Sequence, residues 1–173
     1  MKENSMGRKL TSLGLVLAII IVGEIILHSF ELPTWPAFLV MILFMLGGMD
    51  EKKVALPILG GGLLGIFSII PIRMFVIALA PLLGVFYAKL LFIVIFVCLM
   101  FLLREKLPYI FNTYAFLFLI ITGLASSVSE PNTWLWMAVQ FLGGGVLILS
   151  LVGVKKIIIK LFINKQREMS QPI

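Results

Sequence analysis

Six apolar stretches, separated by short polar breaks, dominate the pattern of this chain. They cover residues 10–28, 34–49, 54–70, 83–103, 110–127 and 133–154. The apolar residues run continuously, as they do over residues 90–103, and lack the alternation of a membrane-spanning strand. A helix of about 20 apolar residues crosses a bilayer. The pattern therefore predicts an all-α membrane protein with six transmembrane helices in a single domain over residues 1–173.

The breaks between the stretches carry residues that hydrocarbon does not accommodate. Charged turns at 50–53 and 104–108 follow the second and fourth stretches. Residues 71–82 are apolar enough for half a crossing, but a seventh crossing would move the basic C-terminal residues to the opposite side of the membrane. We therefore interpret residues 71–82 as a short outer-leaflet helix or a re-entrant segment whose backbone is satisfied by protein or by a water-filled cavity.

Two of the breaks share the pattern Glu-x-x-Thr-Trp, at residues 31–35 and 130–134. Either an ancient duplication of a helical hairpin or convergence explains the likeness. In both readings Thr34 and Thr133 are predicted to cap the helices that follow. Tryptophan is enriched where a membrane meets water, so the tryptophans near these breaks are predicted interfacial anchors. They are Trp35, Trp134 and Trp136.

Basic residues are distributed unevenly along the chain. Twelve of the fourteen Lys and Arg residues fall within 2–9, 52–53, 104–106 and 155–167. Cytoplasmic loops collect Lys and Arg, so this bias predicts that both termini are cytoplasmic. Residues 154–173 are predicted to form a basic cytoplasmic tail, with a helix along the membrane surface followed by a disordered end.

Composition supports the membrane class and narrows the function. The chain is 61% hydrophobic and 13% charged, whereas soluble domains have roughly 45–50% apolar and about 25% charged residues. The net charge of +6 is assigned to topology and to anionic lipid headgroups, not to nucleic acid. The single cysteine, Cys98, excludes an internal disulfide. With one histidine, His28, and no catalytic or metal-ligand motif, we expect no enzyme, metal or cofactor.

Two glycine-rich segments interrupt the third and sixth stretches. One reading is close helix packing, for which Gly61 and Gly65 have the small-x-x-x-small spacing. The other is broken helices whose backbone lines a transport site. The glycines concerned are Gly60, Gly61, Gly62 and Gly65 in the third stretch and Gly143, Gly144 and Gly145 in the sixth.

Ionisable residues within a transmembrane helix are costly and invite a functional hypothesis. Glu24 and Lys89 are the two here, each about 23 Å from the inner basic residues at 1.5 Å per residue. The polar residues expected at a similar depth are Ser68, Thr122 and Gln140. Three readings of this polar layer stay open. Lys89 extends to the outer headgroups, Glu24 and Lys89 form a structural ion pair, or the layer is a solute or ion path in which Glu24 carries a proton.

The start of the fifth stretch holds a further polar residue. Asn112 either caps the helix that follows or hydrogen-bonds across to a neighbouring helix, and both readings remain open.

Several short motifs resemble a small, uncharacterised bacterial inner-membrane family typified by YcdZ. They are Trp35-x-x-Phe38-Leu39, Gly47-Gly48, the lysine-bearing turn after it, Phe111-Asn112, and Trp134 leading to Gly143-Gly144. The resemblance covers about residues 33–155 and implies a bacterial cytoplasmic membrane and a transport role, with no functional residues to carry over.

The chain is also similar to the substrate-capture subunits of energy-coupling-factor vitamin transporters. Those subunits have about six spans, both ends inside, and small residues on the first span that dock a partner. Gly14-x-x-x-Ala18 matches that feature. We expect an inner-membrane transporter or channel for a small solute, acting as a homo-oligomer in the lipid bilayer. The alternatives are a capture subunit with ATPase partner subunits and a non-transporting scaffold or regulator.

Overall fold

The computed structural model describes the backbone of residues 2–128, 130 and 132–169, and the side chains of residues 7, 10–50, 53–128, 130 and 132–160. Every element within these ranges is helical, which confirms the predicted all-α class. The helices are α1 (Lys2–Ser29), α2 (Trp35–Leu46), α3 (Leu56–Phe67), α4 (Ile69–Leu83), α5 (Val85–Leu103), α6 (Thr113–Val128), α7 (Thr133–Ala138) and α8 (Gly144–Met169). Two π-helical turns, Glu51–Ala55 and Val139–Gly143, lead into α3 and α8.

Four segments of the described chain are long and apolar enough to cross a membrane, judged by length and composition. They are Leu10–Ser29, Lys53–Leu83, Val85–Leu103 and Thr133–Lys160. Trp35–Leu46 and Thr113–Val128 are shorter apolar helices. On α5 the buried residues are Ala88 and Phe96, while Phe101 is 81% exposed. Apolar helices with so much outward-facing hydrocarbon are compatible with an integral membrane protein.

Helices α3 and α6 pack closely along a face of glycines. A Cβ atom at Gly65 would lie 2.6 Å from Phe118 Cβ and 2.8 Å from Leu119 N. A Cβ atom at Gly61 would lie 2.9 Å from Ala115 N. Because these contact distances are too short for any larger residue, the two glycines set the separation of the helices. The order of the contacts shows that α3 and α6 run in the same direction.

Asn112 joins the N-terminal ends of these two helices. Its Nδ2 donates to the carbonyl oxygens of Pro57 at 3.0 Å and Pro108 at 3.1 Å. Its Oδ1 accepts from the backbone N–H groups of Tyr114 at 2.9 Å and Ala115 at 3.3 Å. Asn112 therefore does both things that the sequence left open: it caps α6 and bonds across to the start of α3.

The segment 71–82 lies within α4, which follows α3 after a break at Ser68. Pro71 has no N–H to donate to the carbonyl of Phe67, so one hydrogen bond of the helix is missing here, although Ser68 keeps helical dihedral angles (φ −60°, ψ −14°). Gly84, with φ of 81°, then reverses the chain in a single residue. Phe75 packs on Phe92 with ring centroids 5.6 Å apart, so α4 and α5 form a helical hairpin.

The predicted threonine caps are wrong. Thr34 precedes α2, but its side chain makes no capping hydrogen bond. At α7 the cap is Asn132, whose Oδ1 accepts from Leu135 N at 3.2 Å. Asn132 occupies the position before the first helical residue, where its side chain reaches a free N–H group at the helix start, while Thr133 is buried as that first helical residue.

The three predicted interfacial tryptophans differ in exposure. Trp134 is exposed and lies against Phe67, with ring centroids 6.5 Å apart. Trp136 is only 4% exposed, and its ring meets the half-buried Trp35 edge to face at 5.4 Å. Trp136 therefore belongs to the core. It follows Trp134 by two residues, and side chains two residues apart on a helix point to roughly opposite sides.

The main core lies among α2, α3, α6 and α8, where Phe44, Ile58, Phe118 and Leu151 are buried together. Helix α1 packs on α8. Helix α8 runs on through the predicted surface segment as far as Met169. The predicted disordered end, residues 170–173, lies outside the described residues.

Substituting Gly65 by alanine tests the α3–α6 contact. The added methyl group meets α6 backbone and Phe118, so we expect Gly65→Ala to destabilise the fold by about 1–3 kcal/mol. Gly145→Ala is the matched control, because a Cβ atom there meets nothing within 4 Å. Thermal unfolding in detergent should show a lower midpoint for Gly65→Ala alone. Equal midpoints for the two variants would contradict this packing.

Candidate functional site

Three of the predicted polar residues are buried in the interior. Ser68, Thr122 and Gln140 are 2%, 0% and 0% exposed, respectively. Ser68 Oγ donates to Leu64 O at 2.6 Å, which satisfies its hydroxyl hydrogen within its own helix. By contrast, Thr122 Oγ1 has no hydrogen-bond partner among the described residues. Buried polar atoms are nearly always paired, so the hydroxyl of Thr122 is exceptional.

Gln140 lies in the π-helical turn between α7 and α8 and faces the glycines of α3. Its Nε2 donates to Leu59 O at 3.2 Å and lies 3.5 Å from Ile58 O. A Cβ atom at Gly62 would collide with this carboxamide. Gln140 Oε1 finds no partner in the described part of the chain. Single π-helical turns are frequent at functional sites. This one places the side-chain amide of Gln140 in the core, where only its Nε2 is hydrogen-bonded within the described part of the chain.

The buried residues do not share one level. Gln140 meets α3 at Leu59 and Gly62, and Ser68 is six residues beyond Gly62, about 9 Å along a helix. Gly65 lies against Leu119, so Ser68 and Thr122, each three residues further along parallel helices, lie at about the same height. The predicted polar residues therefore do not form one layer, because Gln140 lies nearer the start of α3 than Ser68 and Thr122 do.

Glu24 lies apart from the interior. Its side chain is exposed on α1, and its neighbour Gly23 packs against Leu147 of α8. Leu147 is seven residues beyond Gln140, about 10 Å along the helix. Helix α1 packs on α8, whereas α5 with Lys89 packs on α4. No ion pair joins Glu24 and Lys89 within the described ranges, so the structure does not bring these two residues together.

Lys89 lines a cleft of about 740 Å³ between α4, α5 and α6, here called the α4–α6 cleft. Most of its walls are apolar side chains from these three helices, among them Ile72, Val76, Ile93, Phe116, Leu119 and Ile120. Its volume is in the range of about 300–1,000 Å³ that is usual for small-molecule sites. The Phe75–Phe92 contact fixes one wall, and the α3–α6 packing positions the opposite wall.

A second cation, Arg73, also lines the α4–α6 cleft. Within the described part of the chain, neither Arg73 nor Lys89 has a hydrogen-bond or ion-pair partner. Arg73 falls in the segment 71–82, predicted as a short outer-leaflet helix or a re-entrant segment, and was not predicted as a site residue. A signal was present, because Arg73 and Lys89 are the two basic residues outside the clusters that define the charge bias. The two basic residues outside those clusters therefore line the same cleft.

Ser126 and Ser127 lie in the same cleft at the end of α6. Their hydroxyl groups donate to Gly123 O at 2.9 Å and 3.1 Å. Since the hydroxyl hydrogens are engaged within the helix, the positive charges provide the free donors of the cleft. A second cleft of about 480 Å³, near the end of α2, differs in this respect, because its Lys155 donates to Met49 O at 3.2 Å.

The glycines support helix packing more than helix breaks. Gly60, Gly61, Gly62 and Gly65 all lie within α3, and each faces a neighbouring residue at short range. Gly143 and Gly144 face Ala37 and Val40 of α2, while Gly145 faces open space. Regular geometry is lost at Val139–Gly143, where the helix takes one π-turn without ending.

No family model matches the chain, and neither the curated proteins nor the solved structures gave a similar protein. The resemblance to the YcdZ-type family therefore stays a prediction. No group of three or more His, Cys, Asp and Glu residues in the described ranges is arranged to hold a metal ion. The functional reading consequently depends on the clefts and the interior polar atoms.

Thr122 gives a test of the interior. Thr122→Val removes a buried hydroxyl that has no partner, so we expect the fold to gain about 1–3 kcal/mol. Ser68→Ala is the comparison, since it removes a satisfied hydroxyl and should lower the stability slightly. Thermal unfolding in detergent measures both. A lower midpoint for Thr122→Val would show that the hydroxyl makes a stabilising contact, such as one to a bound water.

Proposed function

We propose that this protein is a multi-pass inner-membrane carrier for a small solute and that the α4–α6 cleft is its solute site. One observation carries the proposal. Two exposed cations, Arg73 and Lys89, have no hydrogen-bond or ion-pair partner among the described residues and line a mostly apolar cleft of about 740 Å³. An ionisable residue in a membrane helix is a reason to propose a functional site. Two such cations in one cleft support a bound solute there.

The proposed topology has six crossings with both termini in the cytoplasm. The crossings are α1, α2, α3, α5, α6 and the α7–α8 unit, and α4 folds back on α5 toward the outer side. This arrangement is supported by the basic residues at the predicted inner ends. It also accounts for Lys53–Leu83, whose 31 residues would measure about 46 Å as one straight helix, against a hydrocarbon core of about 30 Å. Helix α4 follows the turn at Ser68 and packs mainly on α5.

Self-association remains part of the proposal, because a chain of 173 residues encloses little space alone. The capture-subunit alternative has one supporting observation. Gly14 and Ala18 are exposed on α1, and a Cβ atom at Gly14 would meet nothing within 4 Å. That face is open to a partner subunit. Co-purification with an ATPase module would favour capture, a homo-oligomer would favour a carrier or channel, and an unrelated bound enzyme would favour a scaffold.

Flux through proteoliposomes tests the solute site. Solutes that raise the unfolding midpoint of the purified protein are first selected and then used as cargo. We expect Arg73→Gln and Lys89→Met each to reduce uptake by about tenfold or more, because each removes a charge-assisted contact. Lys160→Met is the control, since it removes one exposed positive charge from α8. Wild-type uptake in both cleft variants would exclude the cleft as the solute site.

A further inference from the structure

We propose that the ligand of the α4–α6 cleft is an anionic amphiphile with one apolar chain and a carboxylate or phosphate head. This inference rests on the proposed function, because it names the class of solute for the same cleft. It depends on three features of the cleft: its charge, the character of its free donors and the composition of its walls.

The charge of the cleft selects an anion. Arg73 and Lys89 both line it, and among the described residues no carboxylate lines it with them. Both side chains are exposed, and their like charges repel each other. An anion between them relieves that repulsion, whereas a cationic solute would increase it.

The donors of the cleft select the head group. The hydroxyl groups of Ser126 and Ser127 are engaged with Gly123 O, so the free N–H donors are those of Arg73 and Lys89. A guanidinium group presents paired N–H donors that match two oxygens of a carboxylate or phosphate, and a lysine adds a point charge. A neutral head such as an alcohol could not use these charges.

The walls of the cleft select the tail. Ile72, Val76, Ile93 and Ile120 contribute branched apolar side chains, and Phe116 and Leu119 complete the apolar surface. An apolar chain gains free energy when it leaves water for such a surface. The volume of about 740 Å³ is suited to a drug-sized ligand, which favours a single chain over a two-chain phospholipid. Ile77 and Leu124, which line the cleft, are 76% and 66% exposed, so a ligand can enter from the surrounding bilayer.

Binding of dodecanoate and dodecyl phosphate to the protein in phosphatidylcholine nanodiscs tests this inference. Dodecanol and dodecyltrimethylammonium are probes with the same tail and a neutral or cationic head, and acetate and inorganic phosphate are heads without a tail. We expect saturable binding of the two anionic amphiphiles only. Binding should weaken by about tenfold or more in Arg73→Gln and in Lys89→Met, but not in Lys160→Met.

The conservative variant Arg73→Lys guards against loss by misfolding, because it keeps the charge and loses the paired donors. Binding between that of wild type and Arg73→Gln supports the assignment. Dodecanol binding as tightly as dodecanoate, or equal losses in Lys160→Met and the cleft variants, would overturn it. Added lysophosphatidylglycerol, a lipid with one chain and a phosphate head, separates two sources of the same chemistry: competition points to a membrane lipid, and no competition points to a free amphiphile.

The outcome also separates this inference from the proposed function. If dodecanoate binds as expected but no flux occurs, the ligand class holds and the carrier proposal fails. If another solute is carried through the cleft and dodecanoate does not compete with it, the carrier proposal holds and the ligand class fails.

Discussion

The outward-facing apolar surface of the helices is the constraint on which this account depends, and it is compatible with hydrocarbon as the surrounding solvent. Lipid accepts apolar side chains, so α5 can bury only Ala88 and Phe96 and still be a stable helix. For the same reason the hydrophobic effect does not draw these helices together, and the contacts between them must come from close packing and hydrogen bonds. Both are present where α3 meets α6: glycines bring the backbones together, and Asn112 joins the helix starts.

The same contacts explain why a cleft exists and where it lies. Helix α3 packs on α6, whereas α4, which follows the turn at Ser68, packs mainly on α5. The space between the α4–α5 hairpin and α6 is then lined by apolar side chains and by two cations. A close-packed glycine contact thus fixes one side of the cleft, and the α4–α5 hairpin forms the other.

Much of the fold could be predicted from the sequence, because hydropathy and charge report directly on the solvent of each segment. The apolar stretches are helical, and Asn112 both caps α6 and bonds to the start of α3, the two roles that its position predicts. The relative heights of Glu24, Gln140 and Thr122 could not be predicted. Counting residues from the basic ends assumes straight helices of equal tilt, whereas the π-turn at Val139–Gly143 and the break at Ser68 violate that assumption. Arg73 was not predicted as a site residue, because the pattern of residues 71–82 did not indicate which side of that segment faces the other helices.

The account is tested most directly by the solvent around α5. Nitroxide labels at Val94, Phe96 and Val97, introduced singly into a Cys98→Ser background in nanodiscs, report collisions with oxygen and with a water-soluble nickel chelate. At the exposed positions Val94 and Val97, oxygen should be the better relaxant, and at the buried Phe96 both relaxants should be weak. Collisions with the nickel chelate that equal or exceed those with oxygen at Val94 and Val97 would contradict the central claim that α5 lies in hydrocarbon.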